Sequence, residues 1–93
     1  MLKTLEELIN IIRERKGSLP EKSYTSTLLK NKKLSIEKAK EEMAELIDAI
    51  EKNSNKIHEA ADVLYHLLVL LETNNVKIED VMDELKKRQK NKK

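Results

Sequence analysis

The 93-residue sequence predicts an all-α protein, and three observations carry that prediction. Sheets depend on aromatic and β-branched residues and on turn formers, but this chain has two Tyr, one Gly, one Pro, and no Phe or Trp. Leu, Glu, Lys and Ala, which favour helices, are abundant. Apolar residues recur at helical spacing, and the length suits one domain over residues 1–93.

The first predicted helix begins after Thr4, which together with Glu7 matches a capping box. Gly17 is expected to end it, because glycine readily takes the backbone conformations that stop a helix. A loop that contains the one proline follows over residues 18–23, and residues 24–29 are predicted to form a short helix. The apolar face of the first helix is Leu5, Leu8, Ile9 and Ile12.

Two longer helices are predicted next, as an antiparallel hairpin. The first begins at about Ser35, a residue type that caps helices, and it ends at the polar break 53–55. The second covers about 56–72 and ends at the Asn pair 74–75. The apolar stripe of the first is Ile36, Ala39, Met43, Leu46, Ile47 and Ile50. A closing helix is marked by Ile78, Val81, Met82 and Leu85 at helical spacing.

The second helix of the hairpin is apolar around most of its circumference, although it also carries ionisable groups. Leu and Val residues over 63–71 extend well beyond one face, and such a helix is normally surrounded by protein. A chain of this length can hardly cover the helix alone. The sequence therefore predicts a homo-oligomer, expected to be a dimer, in which a second copy helps to cover this helix.

Acidic residues form two i, i+3 pairs, one on each helix of the hairpin. Glu42 and Glu45 lie on the first helix, and Glu59 and Asp62 lie on the second, opposite its main Leu stripe. In an antiparallel hairpin the pairs would face each other, and carboxylates about 5 Å apart repel by roughly 1–3 kcal/mol per pair. Protonation or Lys38 could relieve this repulsion, and a divalent cation would be the stronger solution. Oxygen ligands without cysteine favour Mg²⁺, with Mn²⁺ as the alternative.

Other interpretations of these residues stay open at the level of sequence. An acidic pattern on one helix is usually a solvated face, and Lys38 can pair with Glu42 instead of contacting a phosphate. His66, inside an apolar helix, is either a satisfied core residue or a substrate contact. Arg15 is either a solvated helix end or a phosphate ligand, and Tyr24 is either a small core residue or part of a binding site.

Charge and composition weigh against several other functions. The net charge is +2, and much of the excess lies in a basic tail at about 86–93 that suits a frayed, solvated helix end. Nucleic-acid binding needs a basic face and stacking aromatics, so no nucleic-acid partner is expected, although a helical interaction or DNA-binding module stays the non-enzymatic alternative. The apolar run 63–71 is too short to span a bilayer, and no signal peptide is visible. Without cysteine, a cytoplasmic location with no membrane partner is expected.

Two short motifs carry a resemblance to a known superfamily. EEMAE at 41–45, followed after thirteen residues by EAAD at 59–62, resembles the EExxE…ExxD signature of the all-α, MazG-like nucleoside triphosphate pyrophosphohydrolases. The chain is similar in particular to one branch, the phosphoribosyl-ATP pyrophosphohydrolases of histidine biosynthesis, over roughly residues 5–88. Lys40 and Lys77 depart from that pattern, but neither belongs to the acidic set. The similar stretches are ERKGSLPEKSYTSTLL at 14–29, IEKAKEEMAELIDAI at 36–50, HEAADVLYHLLVLL at 58–71 and IEDVMDELKKR at 78–88.

The resemblance implies a bundle of four to five helices, and Mg²⁺-dependent hydrolysis of phosphoribosyl-ATP to phosphoribosyl-AMP and pyrophosphate. Hydrolysis of non-standard nucleoside triphosphates is the alternative reaction. Glu41 would orient or deprotonate the attacking water, with a solvated role as its alternative. The metal ligands would be Glu42, Glu45, Glu59 and Asp62. The substrate-binding residues would be Arg15, Ser23, Tyr24, Thr25, Lys38 and His66.

Overall fold

The computed structural model describes residues 2–17, 19 and 23–91, and in these ranges the chain forms five helices and no strand. The predicted all-α class is therefore confirmed. Most of the predicted loop 18–23, with its proline, and the last two residues of the basic tail lie outside the described residues. The helices are α1 Lys3–Arg15, α2 Tyr24–Leu29, α3 Lys32–Lys52, α4 Lys56–Thr73 and α5 Ile78–Asn91.

Two of the predicted helix starts are wrong. α1 already begins at Lys3, and no side chain caps it, so the predicted capping box at Thr4 lies inside the first turn. α3 begins three residues before Ser35, because the side chain of Asn31 accepts a hydrogen bond from the Leu34 N–H at 3.0 Å. This earlier start carries Leu34 into contact with the core and leaves Ser35 buried within the helix.

The predicted break at 53–55 is confirmed, and its backbone explains the hairpin. Asn53 and Asn55 have φ angles of 54° and 56°, the left-handed conformation that asparagine tolerates better than most residues. The Ser54 N–H donates to the Ala49 carbonyl at 3.0 Å, which closes the end of α3. With a connection this short, α3 and α4 pack against each other as antiparallel neighbours.

The core lies where α1 and α2 pack against α4. Leu68 and Val69 of α4 are buried there, whereas Leu64 and Leu67 of the same helix are 50% and 43% exposed. The predicted apolar character around α4 is thus split between an internal face and an external face. The buried core residues are Ile12, Leu28, Leu29, Leu68 and Val69.

An ion-pair network joins α1 to the ends of α4 and α5. The guanidinium of Arg13 donates to Glu72 at 3.0 Å and to both carboxylate oxygens of Glu79 at 2.9 and 2.6 Å. The hydrogen bonds from Arg13 lower the pKa of the Glu79 carboxyl to about 2. α5 is otherwise largely exposed beyond Ile78. None of the helices in the described part of the chain combines the length and apolar character needed to cross a membrane.

Candidate metal and substrate site

The carboxylates predicted to bind a metal come together on the α3–α4 hairpin. On α3 the ligand atoms of Glu41, Glu42 and Glu45 lie within 4.8 Å of one another. On α4 those of His58, Glu59 and Asp62 do the same. Both groups follow from i, i+3 and i+4 spacing, which puts side chains on one face of a helix. Glu42, Glu45, Glu59 and Asp62 are called the acidic cluster below.

The two acidic pairs lie close enough across the hairpin for their charges to interact, and Glu45 and Glu59 line the same groove. Burial raises the pKa of Glu42, and the negative charges of Glu45, Asp62 and Glu59 raise it further. Burial likewise raises the pKa of Glu59, and the negative charges of Glu45 and Asp62 raise it further. Each pair therefore disfavours the ionised form of the other, as expected for crowded carboxylates.

Two orphaned oxygens indicate that the acidic cluster fits a cation. Oε1 of Glu42 and Oε1 of Glu59 are both buried, and neither accepts a hydrogen bond within the part of the chain that the structure describes. A buried carboxylate oxygen without a donor is costly, and a metal ion satisfies it. The donor set is dominated by oxygen, which suits Mg²⁺ or Mn²⁺.

The raised pKa values predict an unusual pH dependence for the metal-free protein. These carboxyls bind protons more readily in the folded state than in the unfolded state, so their repulsion costs stability at neutral pH and is relieved as the pH falls toward the ordinary value of 4.5. In EDTA at pH 7, Glu59→Gln is expected to raise the melting temperature by a few degrees. The gain over wild type should vanish near pH 4, as measured by circular dichroism.

Exposed Glu51 on α3 provides the matched control for that measurement. Glu51→Gln removes the same charge from the same hairpin outside the acidic cluster, and it should shift the melting temperature by no more than the experimental error. A wild type that melts above Glu59→Gln at pH 7 in EDTA would contradict the repulsion.

His66 is buried beside the acidic cluster, and both of its ring nitrogens are engaged. Nδ1 lies 2.8 Å from the Asp62 carbonyl oxygen, which can only accept, so Nδ1 carries the proton. In the neutral ring Nε2 then accepts the hydrogen bond of the Tyr24 hydroxyl at 3.1 Å. His66 thus links α2 to the turn of α4 that bears Asp62.

The predicted substrate-binding residues of α2 have different environments. Ser23 caps the helix by accepting from the Ser26 N–H at 3.0 Å. Thr25 is buried, and its hydroxyl is bonded to that of Tyr65. Only Tyr24 is substantially open to solvent, at 49% exposure. Of this group Tyr24 is therefore the residue best placed to touch a ligand directly.

The two predicted cationic contacts also differ. Lys38 donates to Glu41 at 3.1 Å, so its helical partner is not the predicted Glu42. Arg15 is half-buried at the end of α1, where its carbonyl accepts from the Ser26 hydroxyl at 3.3 Å. The guanidinium of Arg15 forms no hydrogen bond or ion pair in the described ranges 2–17, 19 and 23–91, unlike that of Arg13.

Sequence reasoning missed two residues at this site. His58 has its Nε2 at 3.4 Å from an Asp62 carboxylate oxygen, and the i, i+4 spacing was a signal that could have found it. Tyr65 bonds Thr25 and stacks with Tyr24, with ring centroids 6.4 Å apart. No spacing rule relates Tyr65 to α2, because the contact exists only in the folded chain.

A groove of about 410 Å³ runs along the hairpin beside the acidic cluster. Its lining is acidic or neutral, so a polyanion would enter it only together with cations. The residues that contribute charge to it are Glu41, Glu45, Asp48 and Glu59.

Comparison with protein families identifies the family of this chain. A family model described as phosphoribosyl-ATP pyrophosphohydrolase matches residues 5–89, nearly the whole chain. The chain belongs to this family. Phosphoribosyl-ATP pyrophosphohydrolases have the all-α, MazG-like fold, in agreement with the five helices described above. The predicted resemblance is therefore confirmed at the level of the family.

Individual relatives extend the same similarity. A phosphoribosyl-ATP pyrophosphatase of Haloarcula marismortui is 43% identical over 89 residues, covering 90% of this chain and 91% of the relative. One from Metallosphaera sedula is 41% identical over 93 residues, covering 97% of this chain and 100% of the relative. The chain is also 45% identical to the histidine biosynthesis bifunctional protein HisIE of Pyrococcus furiosus, of which it covers 43%. No solved structure matches the chain.

Proposed function

We propose that this protein hydrolyses phosphoribosyl-ATP to phosphoribosyl-AMP and pyrophosphate, with Mg²⁺ or Mn²⁺ held by the acidic cluster. The carrying observation is the pair of buried, unpartnered oxygens on Glu42 and Glu59, each within a group of possible metal ligands, one group on each helix of the hairpin. Membership of the family supports the substrate and the reaction. We assign the reaction to the cytoplasm, because a chain without cysteine suits a reducing compartment.

The chemistry divides between the acidic cluster and its neighbours. A bound divalent cation would offset the charge of the triphosphate and polarise its phosphoryl oxygens. The chain's part is to hold that charge rigidly, with Glu42 and Glu45 on α3 and Glu59 and Asp62 on α4. The close α3–α4 packing keeps these carboxylates from spreading apart when no ligand is present.

Glu41 and Lys38 form the outer edge of the proposed site. Glu41 is exposed and lies with Glu42 and Glu45 on one helical face, so it can meet a water molecule at the rim of the groove. It would orient that water and take its proton as the water oxygen bonds to phosphorus and the phosphoanhydride bond breaks, releasing pyrophosphate. Lys38, held at 3.1 Å from Glu41, would contact a phosphate oxygen.

Direct assay tests the proposed reaction. Purified protein with Mg²⁺ is given phosphoribosyl-ATP, ATP and dCTP in parallel, and pyrophosphate release is measured. Rapid turnover of phosphoribosyl-ATP with slow turnover of the other two supports the proposal. Equal turnover of all three would favour the alternative, hydrolysis of non-standard nucleoside triphosphates. No turnover of any of them would refute the proposed pyrophosphohydrolase activity.

We further propose that the protein is a homodimer through an apolar hairpin face. This face consists of Met43, Ile47 and Ile50 on α3 and of Leu64 and Leu67 on α4, each 43–56% exposed. On each helix they lie about 80–160° around from the acidic pair of that helix. If the two acidic pairs face each other, an antiparallel arrangement puts both apolar groups on the same side of the hairpin. Burying the exposed halves of five such side chains would contribute on the order of 5 kcal/mol.

Substitution within the apolar hairpin face tests the dimer. Leu67→Lys and Ile47→Lys should each give a monomer or an unfolded chain, since burying an unpaired charge costs several kcal/mol. Ile11→Lys on α1, where the side chain is 45% exposed outside this face, should keep the wild-type mass. Light scattering at micromolar concentration provides the measurement, and a monomeric mass for folded wild type would refute the dimer.

A further inference from the structure

α2 is too short to keep its position without anchors. It has six residues, and isolated helices of that length are unstable in water. Leu28 and Leu29 bury its apolar side in the core, and side-chain bonds add further anchors. The Ser26 hydroxyl donates to the Arg15 carbonyl of α1, and the Tyr24 hydroxyl is hydrogen-bonded to His66 of α4. The remaining bond joins Thr25 to Tyr65 of α4.

The bond between Thr25 and Tyr65 joins α2 to α4 through a buried side chain. Thr25 is 9% exposed, and its hydroxyl meets the phenol of Tyr65 in the interior, where an unpaired hydroxyl would be costly. The ring of Tyr65 also stacks with that of Tyr24 at an interplanar angle of 21° and meets His66 edge-on at 4.9 Å. Tyr65 therefore touches α2 through two successive residues.

The ring of Tyr24 is the part of α2 that lies near the acidic cluster. This ring is half-exposed, and it lies close enough to Lys38, Glu41 and Glu42 of α3 for their charges to act on the phenol. Its hydroxyl is also the partner of His66, which holds the Asp62 carbonyl. A small displacement of α2 would move Tyr24 away from both neighbours.

We propose that Tyr65 is a positioning residue, whose hydroxyl holds Thr25, and with it α2 and the Tyr24 ring, at the edge of the acidic cluster. Tyr65 itself would not touch the reacting atoms. This inference rests on the proposed function, because Tyr24 matters only if the cluster binds a phosphoribosyl nucleotide. It assigns Thr25, buried and bonded to Tyr65, to the support of the site and not to direct substrate contact.

Two substitutions remove the same bond from its two ends. Tyr65→Phe and Thr25→Val should each raise KM for phosphoribosyl-ATP about tenfold and leave kcat within about twofold, since the acidic cluster is untouched. The double variant should be no worse than either single variant, because only one interaction is lost. Thr25→Ser, which keeps the hydroxyl, should retain the wild-type KM.

Thr73→Val is the matched control. The hydroxyl of Thr73 donates to the Val69 carbonyl within α4 at 2.8 Å and takes no part in the side-chain bonds that hold α2, so its loss should leave KM unchanged. If Tyr65→Phe does not fold, comparing the KM of Thr25→Val with that of Thr25→Ser tests the same proposal. A lower melting temperature with unchanged KM in Thr25→Val would overturn the proposal, because it would mean that the bond serves stability alone.

Amide hydrogen exchange separates this inference from the proposed reaction. In wild type the Thr27 amide donates to the Ser23 carbonyl at 3.0 Å and the Lys30 amide to the Ser26 carbonyl at 3.2 Å, at the two ends of α2. Tyr65→Phe should speed their exchange about tenfold and leave the amides of α3 unaffected, whatever the substrate proves to be. Unchanged exchange in α2 would overturn the positioning role, whereas a wild type inactive on phosphoribosyl-ATP would overturn the proposed function.

Discussion

Glu42→Gln and Asp62→Asn are each expected to lower kcat/KM for phosphoribosyl-ATP by about 10³-fold or more. Each removes one carboxylate oxygen and one negative charge from the acidic cluster, so the affinity for a divalent cation and its alignment with the triphosphate both fall. The far-ultraviolet circular dichroism should stay helical, because neither side chain belongs to the apolar core. Steady-state kinetics at saturating Mg²⁺ provides the measurement.

Glu51→Gln is the control for these variants. Glu51 is an exposed carboxylate on α3 outside the acidic cluster, and its loss should change kcat/KM by less than about twofold. EDTA should abolish the activity of wild type, and Mg²⁺ or Mn²⁺ should restore it. Calorimetric titration of Mn²⁺ into the substrate-free protein should give clear binding for wild type and much weaker binding for Asp62→Asn. Full activity in EDTA would refute the proposed metal site.

The acidic cluster could be predicted because helical periodicity is strict. Once Glu42 and Glu45 lie on one helix and Glu59 and Asp62 on the next, a short polar connection leaves an antiparallel hairpin as the simplest packing. The position of each pair around its helix is then fixed by 100° per residue. Neither step requires knowledge of the rest of the chain. Composition and spacing were therefore sufficient to predict that these four carboxylates come together.

Helix starts could not be predicted as well, because several residues compete for the same role. Asn31 and Ser35 are both good helix caps, and the sequence does not show which of them acts. Asn31 prevails in the structure, and the earlier start brings Leu34 into contact with the core. At α1 the available cap is not used: Thr4 could cap the helix, but the helix already starts at Lys3.

The contacts of α2 could not be predicted from residue spacing, because they join residues that are far apart in the chain. Tyr65 and Thr25 are 40 residues apart, and their bond depends on how α2 lies on α4. The different partners of Arg13 and Arg15 could not be predicted from spacing either. They are two residues apart on α1, about 200° around the helix, and only tertiary structure shows that Arg13 meets Glu72 and Glu79.

That difference between the two arginines suggests how the substrate is selected. The acidic cluster with a cation would hold any triphosphate, so discrimination must come from a group that recognises the phosphoribosyl arm. This arm ends in a phosphate, for which a guanidinium offers a rigid donor fork. Arg13 is occupied by two carboxylates, whereas Arg15 has no anionic partner in the described part of the chain. Arg15 also adjoins α2, because its carbonyl accepts from Ser26.

Wild type is therefore expected to have a kcat/KM for phosphoribosyl-ATP at least about a thousandfold above that for ATP, as when a dedicated polar subsite is left unpaired by the wrong substrate. Arg15→Ala should lose activity mainly on phosphoribosyl-ATP, and its weak activity on ATP should hardly change, so that the ratio collapses. Arg88→Ala, which removes an exposed arginine paired with Glu84 on α5, should preserve the ratio. If Arg15→Ala leaves both activities unchanged, the arm is recognised by other residues and the subsite does not lie at the end of α1.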